Sequence, residues 1–317
     1  VSIYRRARHP ARVRVGVCSQ RDPDQDPSAD ALVDAALAEM VSARTLAPSE
    51  AESIKALHEK NTRYVIILHS DAKGPVFARS LLEEKLYRGE DYLMMVDSHA
   101  QFSPDWDVRS IDELRACPSF PKAVLSHYPE WYQRSDREGA DFGARSSRLV
   151  FGSFEDASSM PMWGCHPVDP DATSPPLSAG WGACFSMAPR QAVQDVPFHN
   201  RDEYPFLFFG EEVGMAVRFF TNGYNLYAPR MNIVLTTYER DYRPLFWDNG
   251  HFRVPAEEKS RAAMRKTLGV REVRTASGRG RVGFGFLGNE RSVEDYEEFS
   301  GIDLLHLKGD PEHTPKL

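Results

Sequence analysis

The 317-residue chain has only four cysteines, and Cys18, Cys117, Cys165 and Cys184 form no CxxC pair. That excludes a disulfide-stapled scaffold and predicts reduced thiols in a cytoplasmic protein. Long hydrophobic runs are missing too: none approaches the ~20 residues of a membrane span. The opening VSIYRRARHP has no apolar segment after its basic residues, so no secretory signal peptide is expected. The first residue is Val, not Met, as in a chain with upstream sequence. Basic excess is absent: 39 Lys+Arg face 46 Asp+Glu, a net charge of −7. General basicity therefore cannot supply nucleic-acid affinity, although a local basic groove stays open. There is no GxGxxG, P-loop or GxSxG motif and no internal repeat.

What is there is ordinary globular composition, 41% hydrophobic and 27% charged. The length suits one large domain or two small ones. The first half alternates helix and strand. Ser2 to Arg8 reads as a helix end stopped before Pro10, and RVRVGVC (12–18) as a strand. Asp30 is placed to cap a helix through Ala43, and 48–60 continues helical. YVIILHS (64–70), YLMMVD (92–97) and KAVLSHY (122–128) read as strands, with helices at 78–87 and 111–116 between them. Such alternation predicts an α/β domain with a mostly parallel sheet, which binds ligands at the carboxyl ends of its strands.

The middle changes character. Residues 133–147 are polar and rich in Arg, Gly and Ser, and 161–176 are rich in Pro, Gly and Asp, which predicts irregular structure. GWGACFSMA (180–188) reads as a strand, 211–221 as a helix stopped by Gly223, and NLYAPRMNIVLTTY as strand again. Residues 255–268 form a well-marked helix, acidic in its first turn, basic in its last and followed by Gly269. The last dozen residues read as a loose tail.

Three local patterns carry chemistry. In MMVDSHAQF, Asp97 and His99 flank one residue where the chain leaves a strand, so extended backbone puts both side chains on one side. A carboxylate and an imidazole together suit Mn²⁺ or another divalent ion of intermediate hardness. The alternative is a capping Asp and a surface His. In FFGEEVGMAVRFF, Glu211 or Glu212 could accept hydrogen bonds from sugar hydroxyls, with Gly210 admitting the ligand to the backbone. Two acids at a helix start also suit the macrodipole with no ligand. In KGPVFARSLLEEKL, Gly74 opens a helix whose Arg79 either reaches a phosphate or pairs with Glu83 on the helix surface. Trp163 and Trp181, with Tyr128 and Trp131, offer rings that either stack on sugars or pack.

These patterns stand in a fixed order with RARHPARVRVGVCSQ, LSAGWGACFSMAPRQAVQDVPF, TTYERDYRPLFWDN and LGNERSVEDYEEFSGID. In that order, from about residue 5 to 303, the chain resembles the cytoplasmic polypeptide α-N-acetylglucosaminyltransferases. That family transfers GlcNAc to hydroxyproline or Ser/Thr, has a GT-A fold and is distantly related to the polypeptide GalNAc-transferases, which share the DxH motif. The resemblance implies a Rossmann-like nucleotide-sugar-binding domain over 1–305, with 1–130 the nucleotide half, 131–305 the sugar and acceptor half, and 306–317 a tail. It implies Asp97 and His99 as ligands of Mn²⁺ or Mg²⁺ and Gln20, Gly74 and Arg79 beside the nucleotide of a UDP-sugar. It implies Trp181 and Gly182 at the sugar pocket, Glu211 and Glu212 as the acidic pair holding donor and acceptor, and Asp105 and Trp106 in a segment shaping the pocket. Retention of anomeric configuration follows from the same resemblance, and the loop 133–148 would serve as a lid.

Two departures stand out. The family's first strand, of the type IFVSIASYRD, does not precede the opening helix. Thr236 stands where the family has a His, its third metal ligand, and His251, nearby in sequence, could substitute. Besides a working transferase, a degenerate member that binds a nucleotide sugar or a protein stays open, as does a metal-dependent phosphohydrolase.

Overall fold

The computed structural model describes residues 1–133, 142–143, 146–198, 202–239, 246–248, 250, 253–271 and 287–317. The first half runs α1 (Ser2–Arg5), β1 (Val15–Arg21), α2 (Ala29–Ser42), α3 (Pro48–Asn61), β2 (Thr62–Leu68), α4 (Pro75–Leu86) and β3 (Tyr92–Val96). Then follow β4 (Ala100–Phe102), α5 (Trp106–Arg115), β5 (Ala123–Ser126), β6 (Ser147–Phe154), β7 (Pro161–Pro167), β8 (Phe185–Pro189) and α6 (Arg190–Asp195). The remainder is α7 (Glu211–Thr221), β9 (Asn225–Tyr227), β10 (Val234–Thr236), α8 (Val254–Leu268), α9 (Val293–Ser300), β11 (Ile302–Asp303) and β12 (Lys308–Gly309).

The alternating first half is α/β, as the pattern predicts, but the sheet is not mostly parallel. Four strands hydrogen-bond in the order β3-β8-β5-β9. β8 runs antiparallel to both β3 and β5, and only β5 and β9 are parallel. The reason is the route: between β5 and β8 the chain makes the β6–β7 hairpin, not a helical crossover, and enters the sheet from the opposite end. A separate parallel pair, β1–β2, is joined through α2 and α3. Among the described residues β1 pairs only with β2 and β3 only with β8, so each keeps one unpaired edge. Ile66 and Leu68 of β2 remain 55% and 47% exposed.

The four-stranded sheet divides two cores, because alternate side chains point to opposite faces. Val124 and Leu226 pack on one side with Trp181, α7 and α9. Leu125, Phe185, Met187 and Tyr227 pack on the other with Ile54 of α3, Trp106 and Leu114 of α5. Trp106 gives its indole N–H to the Ile3 carbonyl at 2.9 Å and so ties α5 to α1.

Local chemistry explains where the elements begin. Ser28, not Asp30, caps α2, accepting from the Ala31 amide at 3.1 Å. Asp30 instead meets His58 and Tyr64, each at 2.9 Å. Gly74 (φ 92°) and Gly210 (φ 111°) precede α4 and α7 in backbone that an L side chain resists. At Gly210 a Cβ would meet Met264 at 3.2 Å and Met160 at 3.4 Å, so this glycine serves core packing, not ligand approach.

Two further expectations are corrected. Residues 161–167 are not irregular: they form β7, paired with β6 across a bulge between Phe151 and Ser153. Gly152 and Gly164 permit it, since a Cβ on Gly152 would lie 2.7 Å from the Gly164 amide. The tail is not loose either. β12 pairs with β11, the His313 ring bonds the Phe299 carbonyl at 3.0 Å, and Gly309 sits against the Phe151 ring.

Candidate functional site

At the site, α4, the exit of β3, the start of α7 and the turn before β8 converge on one guanidinium. Arg79 donates from Nη1 to both oxygens of Glu211, at 2.8 and 2.9 Å. Its Nη2 reaches Asp97 Oδ1 at 3.2 Å and the Ala183 carbonyl at 3.4 Å. The surface pairing of Arg79 with Glu83 does not form: both Glu83 oxygens accept from the Phe198 amide, at 3.1 Å. Burial works against the charge on Arg79, but Glu211 and Asp97 outweigh it and hold the guanidinium above its ordinary range. Burial pushes Glu211 upward, and Arg79 counters it.

Glu212, next along α7, is held differently. Its Oε1 accepts from the Ala183 amide at 2.8 Å, and its Oε2 accepts from the Tyr128 hydroxyl. Burial, against the hydrogen bonds from Tyr128 and Ala183, raises its pKa to about 7. The Tyr128 phenol is in turn pushed far above its usual range, by burial first and then by Glu212. Gly182 makes this fit feasible: a Cβ there would come within 3.0 Å of both the His127 carbonyl and the Tyr128 ring.

The DSH sequence leaves β3 into a turn. His99 Nε2 lies 3.4 Å from Asp97 Oδ2. Among the described residues, both His99 ring nitrogens are buried without a hydrogen-bond partner. A buried imidazole with unsatisfied nitrogens beside a carboxylate is an arrangement that a divalent ion would complete. Asp97 and His99 thus fit the implied metal as two of its ligands. Among the described residues no group of three His, Cys, Asp or Glu could hold an ion. Thr236 lies in β10 opposite Ala100, with its hydroxyl buried and unpartnered. His251 lies outside the described residues, as does most of the loop 133–148.

The other expected residues divide. Gly74 is buried at the start of the helix that carries Arg79. Gln20 is exposed near the end of β1, opposite Ile67, and bonds to none of this cluster among the described residues. Trp181 is only 1% exposed and packs on Phe198, so its ring supports the site from the core and offers no stacking surface. Trp163 is buried as well. Asp105 and Trp106 face α1, with the Asp105 amide on the Arg6 carbonyl at 2.7 Å. Sequence reasoning missed Tyr128 as a partner of Glu212 and Tyr132, whose hydroxyl bonds the His99 carbonyl at 3.2 Å. The available signal was their place just after β5, where such sheets gather ligand contacts.

A family model for glycosyltransferase (GlcNAc) matches residues 1–306. The chain belongs to that family. Its fold is similar to a crystal structure of GalNAc-T7 with UDP, GalNAc and Mn²⁺, at TM-score 0.54 and 12% identity. The likeness covers 96% of this chain and 51% of that one, so the chain spans about half the length of this relative. No curated protein matches in sequence. This member of the glycosyltransferase (GlcNAc) family has a mixed α/β fold similar to that of the neighbour. Among the described residues no helix is long and apolar enough to cross a membrane.

Proposed function

We propose that the chain is a metal-dependent, retaining glycosyltransferase that moves GlcNAc from UDP-GlcNAc to a hydroxyl group on a polypeptide. The observation that carries the reading is the convergence of Arg79, Asp97, Glu211 and Glu212 beside a His99 ring that pairs with Asp97 and makes no hydrogen bond among the described residues. The family match supports transfer, and the neighbour solved with UDP, GalNAc and Mn²⁺ supports a UDP-sugar and a metal.

In this reading Asp97 and His99 would hold Mn²⁺ or Mg²⁺. When bound, the ion supplies Lewis-acid stabilisation of the departing UDP. Arg79 adds a fixed positive charge on the same side, already oriented by Glu211. Gly74 starts α4 at the position that aims Arg79 inward. Glu212, fixed by Tyr128 and the Ala183 amide, orients sugar and acceptor hydroxyls.

Retention suits this arrangement. Glu211 is locked to Arg79 and both Glu212 oxygens accept hydrogen bonds, so neither carboxylate is set up as a covalent nucleophile. The acceptor oxygen then attacks C1 on the face from which UDP leaves. The C1–O bond to the β-phosphate breaks, and the acceptor proton passes to the departing phosphate oxygen.

UDP release from a panel of UDP-sugars with Mn²⁺, against EDTA, tests the reading. Slow metal-dependent hydrolysis of UDP-GlcNAc is the expected result. One observation favours a second reading: among the described residues no group of three His, Cys, Asp or Glu could hold an ion, and the family resemblance puts Thr236 where a His would stand. Binding of UDP-GlcNAc without turnover on any hydroxyl acceptor would assign the chain to a non-catalytic, nucleotide-sugar-binding role.

A further inference from the structure

The segment that follows β5 touches three parts of the proposed site within five residues. Tyr128 donates its hydroxyl to Glu212. Pro129 accepts from the Tyr238 hydroxyl at 3.0 Å. The Glu130 carbonyl accepts from the Thr236 amide at 3.0 Å, and the Tyr132 amide bonds the Thr236 carbonyl at 2.9 Å. Tyr132 then gives its own hydroxyl to the His99 carbonyl at 3.2 Å. One short strap therefore joins the carboxylate pair on α7, the Asp97–His99 turn and β10.

We propose that Tyr128 and Tyr132 are two positioning residues with separable tasks, Tyr128 setting the orientation and charge of Glu212 and Tyr132 setting the His99 turn that holds the metal–diphosphate. This rests on the glycosyltransferase reading and deepens it. A carboxylate in a dry site turns unless both oxygens are engaged, and Tyr128 supplies one of its two anchors. A hydrogen bond to the carbonyl of a ligand residue orients that ligand through its backbone, as outer partners do in metal sites. The groups that face Glu212 are Tyr128, Arg79, Glu211, Cys184, Cys165 and Tyr238. Of these only Tyr128 donates a side-chain hydrogen bond to it.

The test uses the full chain with UDP-GlcNAc, Mn²⁺ and three variants, Tyr128→Phe, Tyr132→Phe and Tyr132→Trp. Two readouts precede activity: Mn²⁺-dependent UDP affinity by calorimetry, and the Glu212 titration by carboxylate NMR. Tyr128→Phe is expected to move the Glu212 titration, and the acid limb of UDP-GlcNAc hydrolysis, to higher pH by about one unit. Its UDP affinity stays within twofold. Tyr132→Phe is expected to weaken Mn²⁺-dependent UDP binding about 10-fold while the pH profile stays put. Tyr132→Trp keeps a ring but not the hydroxyl at that place, and is expected to weaken binding at least as much. Equal loss of activity in all variants, with unmoved titration and UDP affinity, would overturn the proposal and reduce both tyrosines to packing. Wild-type protein that binds no UDP with Mn²⁺ would instead defeat the underlying reading, while a Glu212 titration shifted by Tyr128→Phe would still stand for the contact.

Discussion

Arg79 and Glu211, on helices 132 residues apart in sequence, face each other through two hydrogen bonds from one guanidinium nitrogen to both carboxylate oxygens. The same guanidinium touches Asp97, so one buried cation restrains both the expected metal ligand and the expected sugar-binding helix. Removing it takes the guanidinium counter-charge from two carboxylates. Arg79→Ala is predicted to cost about 3–5 kcal/mol of stability, as breaking a buried ion pair does. Adding Glu211→Gln should recover part of that loss, because the stranded charge is gone. Urea denaturation of the single and double variants checks this; a double variant as unstable as the sum of two singles would contradict it.

Glu83 offers a pH test at a carboxyl that makes no hydrogen bond to Arg79, Asp97 or the acidic pair. Burial pushes its pKa from 4.5 to about 7, against the Phe198 amide and Arg218. It lines a small cavity with Trp181, Ser186 and Met215 under the site. A carboxyl whose folded pKa is raised binds its proton more tightly in the fold than in the unfolded chain. Its contribution is fully favourable below about 4.5 and is lost as pH rises through about 7. Between pH 5 and 8 the wild type should therefore lose on the order of 2–3 kcal/mol relative to Glu83→Gln. Denaturation of the pair at several pH values reads this difference directly, and a difference that grows in the opposite direction contradicts the burial argument.

Gly182 is predicted to tolerate no side chain. Gly182→Ala puts a methyl against the His127 carbonyl and the ring of Tyr128, and should cost about 1–3 kcal/mol and displace the Tyr128 hydroxyl from Glu212. Gly250→Ala, where nothing lies within 4 Å among the described residues, should be close to neutral. Thermal unfolding of the two variants side by side makes the comparison.

The exposed apolar residues of β2, at the edge of a two-stranded sheet among the described residues, predict association. An exposed strand edge with apolar neighbours is a template for pairing. The chain of residues 1–317 should self-associate with rising concentration and bind a hydrophobic dye, and Ile66→Lys with Leu68→Lys should reduce both. Light scattering that shows monomer at all concentrations, with no change in the double variant, contradicts this.

Legibility in the sequence followed the range of the forces involved. The helix 211–221 was readable to the residue because its signals are local: a glycine before it, acids in its first turn and Gly223 just past its end. Asp97, His99, Arg79 and the acidic pair were marked by pattern and by family resemblance, and four of them meet. Which acid Arg79 would meet was not readable. Its choice between Glu83, one helical turn away, and Glu211 depends on how α7 docks on α4, which no local spacing encodes. The antiparallel insertion of β8 was hidden for the same reason, since apolar periodicity marks a strand but not its direction. β7 was hidden because a strand bounded by Pro161 and Pro167 has the composition of a loop. Tyr128 was legible only as a ring that stacks or packs, and Tyr132 carried no signal, because the hydroxyl contacts to Glu212 and to the His99 carbonyl join segments distant in sequence.

The central claim is that Asp97 and His99 bind a divalent ion together with a nucleotide diphosphate. Calorimetric titration of UDP into the chain, with Mn²⁺ and with EDTA, in wild type and in Asp97→Ala, tests it most directly. The account predicts that Mn²⁺ tightens UDP binding by at least 10-fold in wild type and not in Asp97→Ala, which lacks one of the two ligands. UDP affinity that is the same with Mn²⁺ and with EDTA, or a Mn²⁺ effect that survives Asp97→Ala, would contradict it.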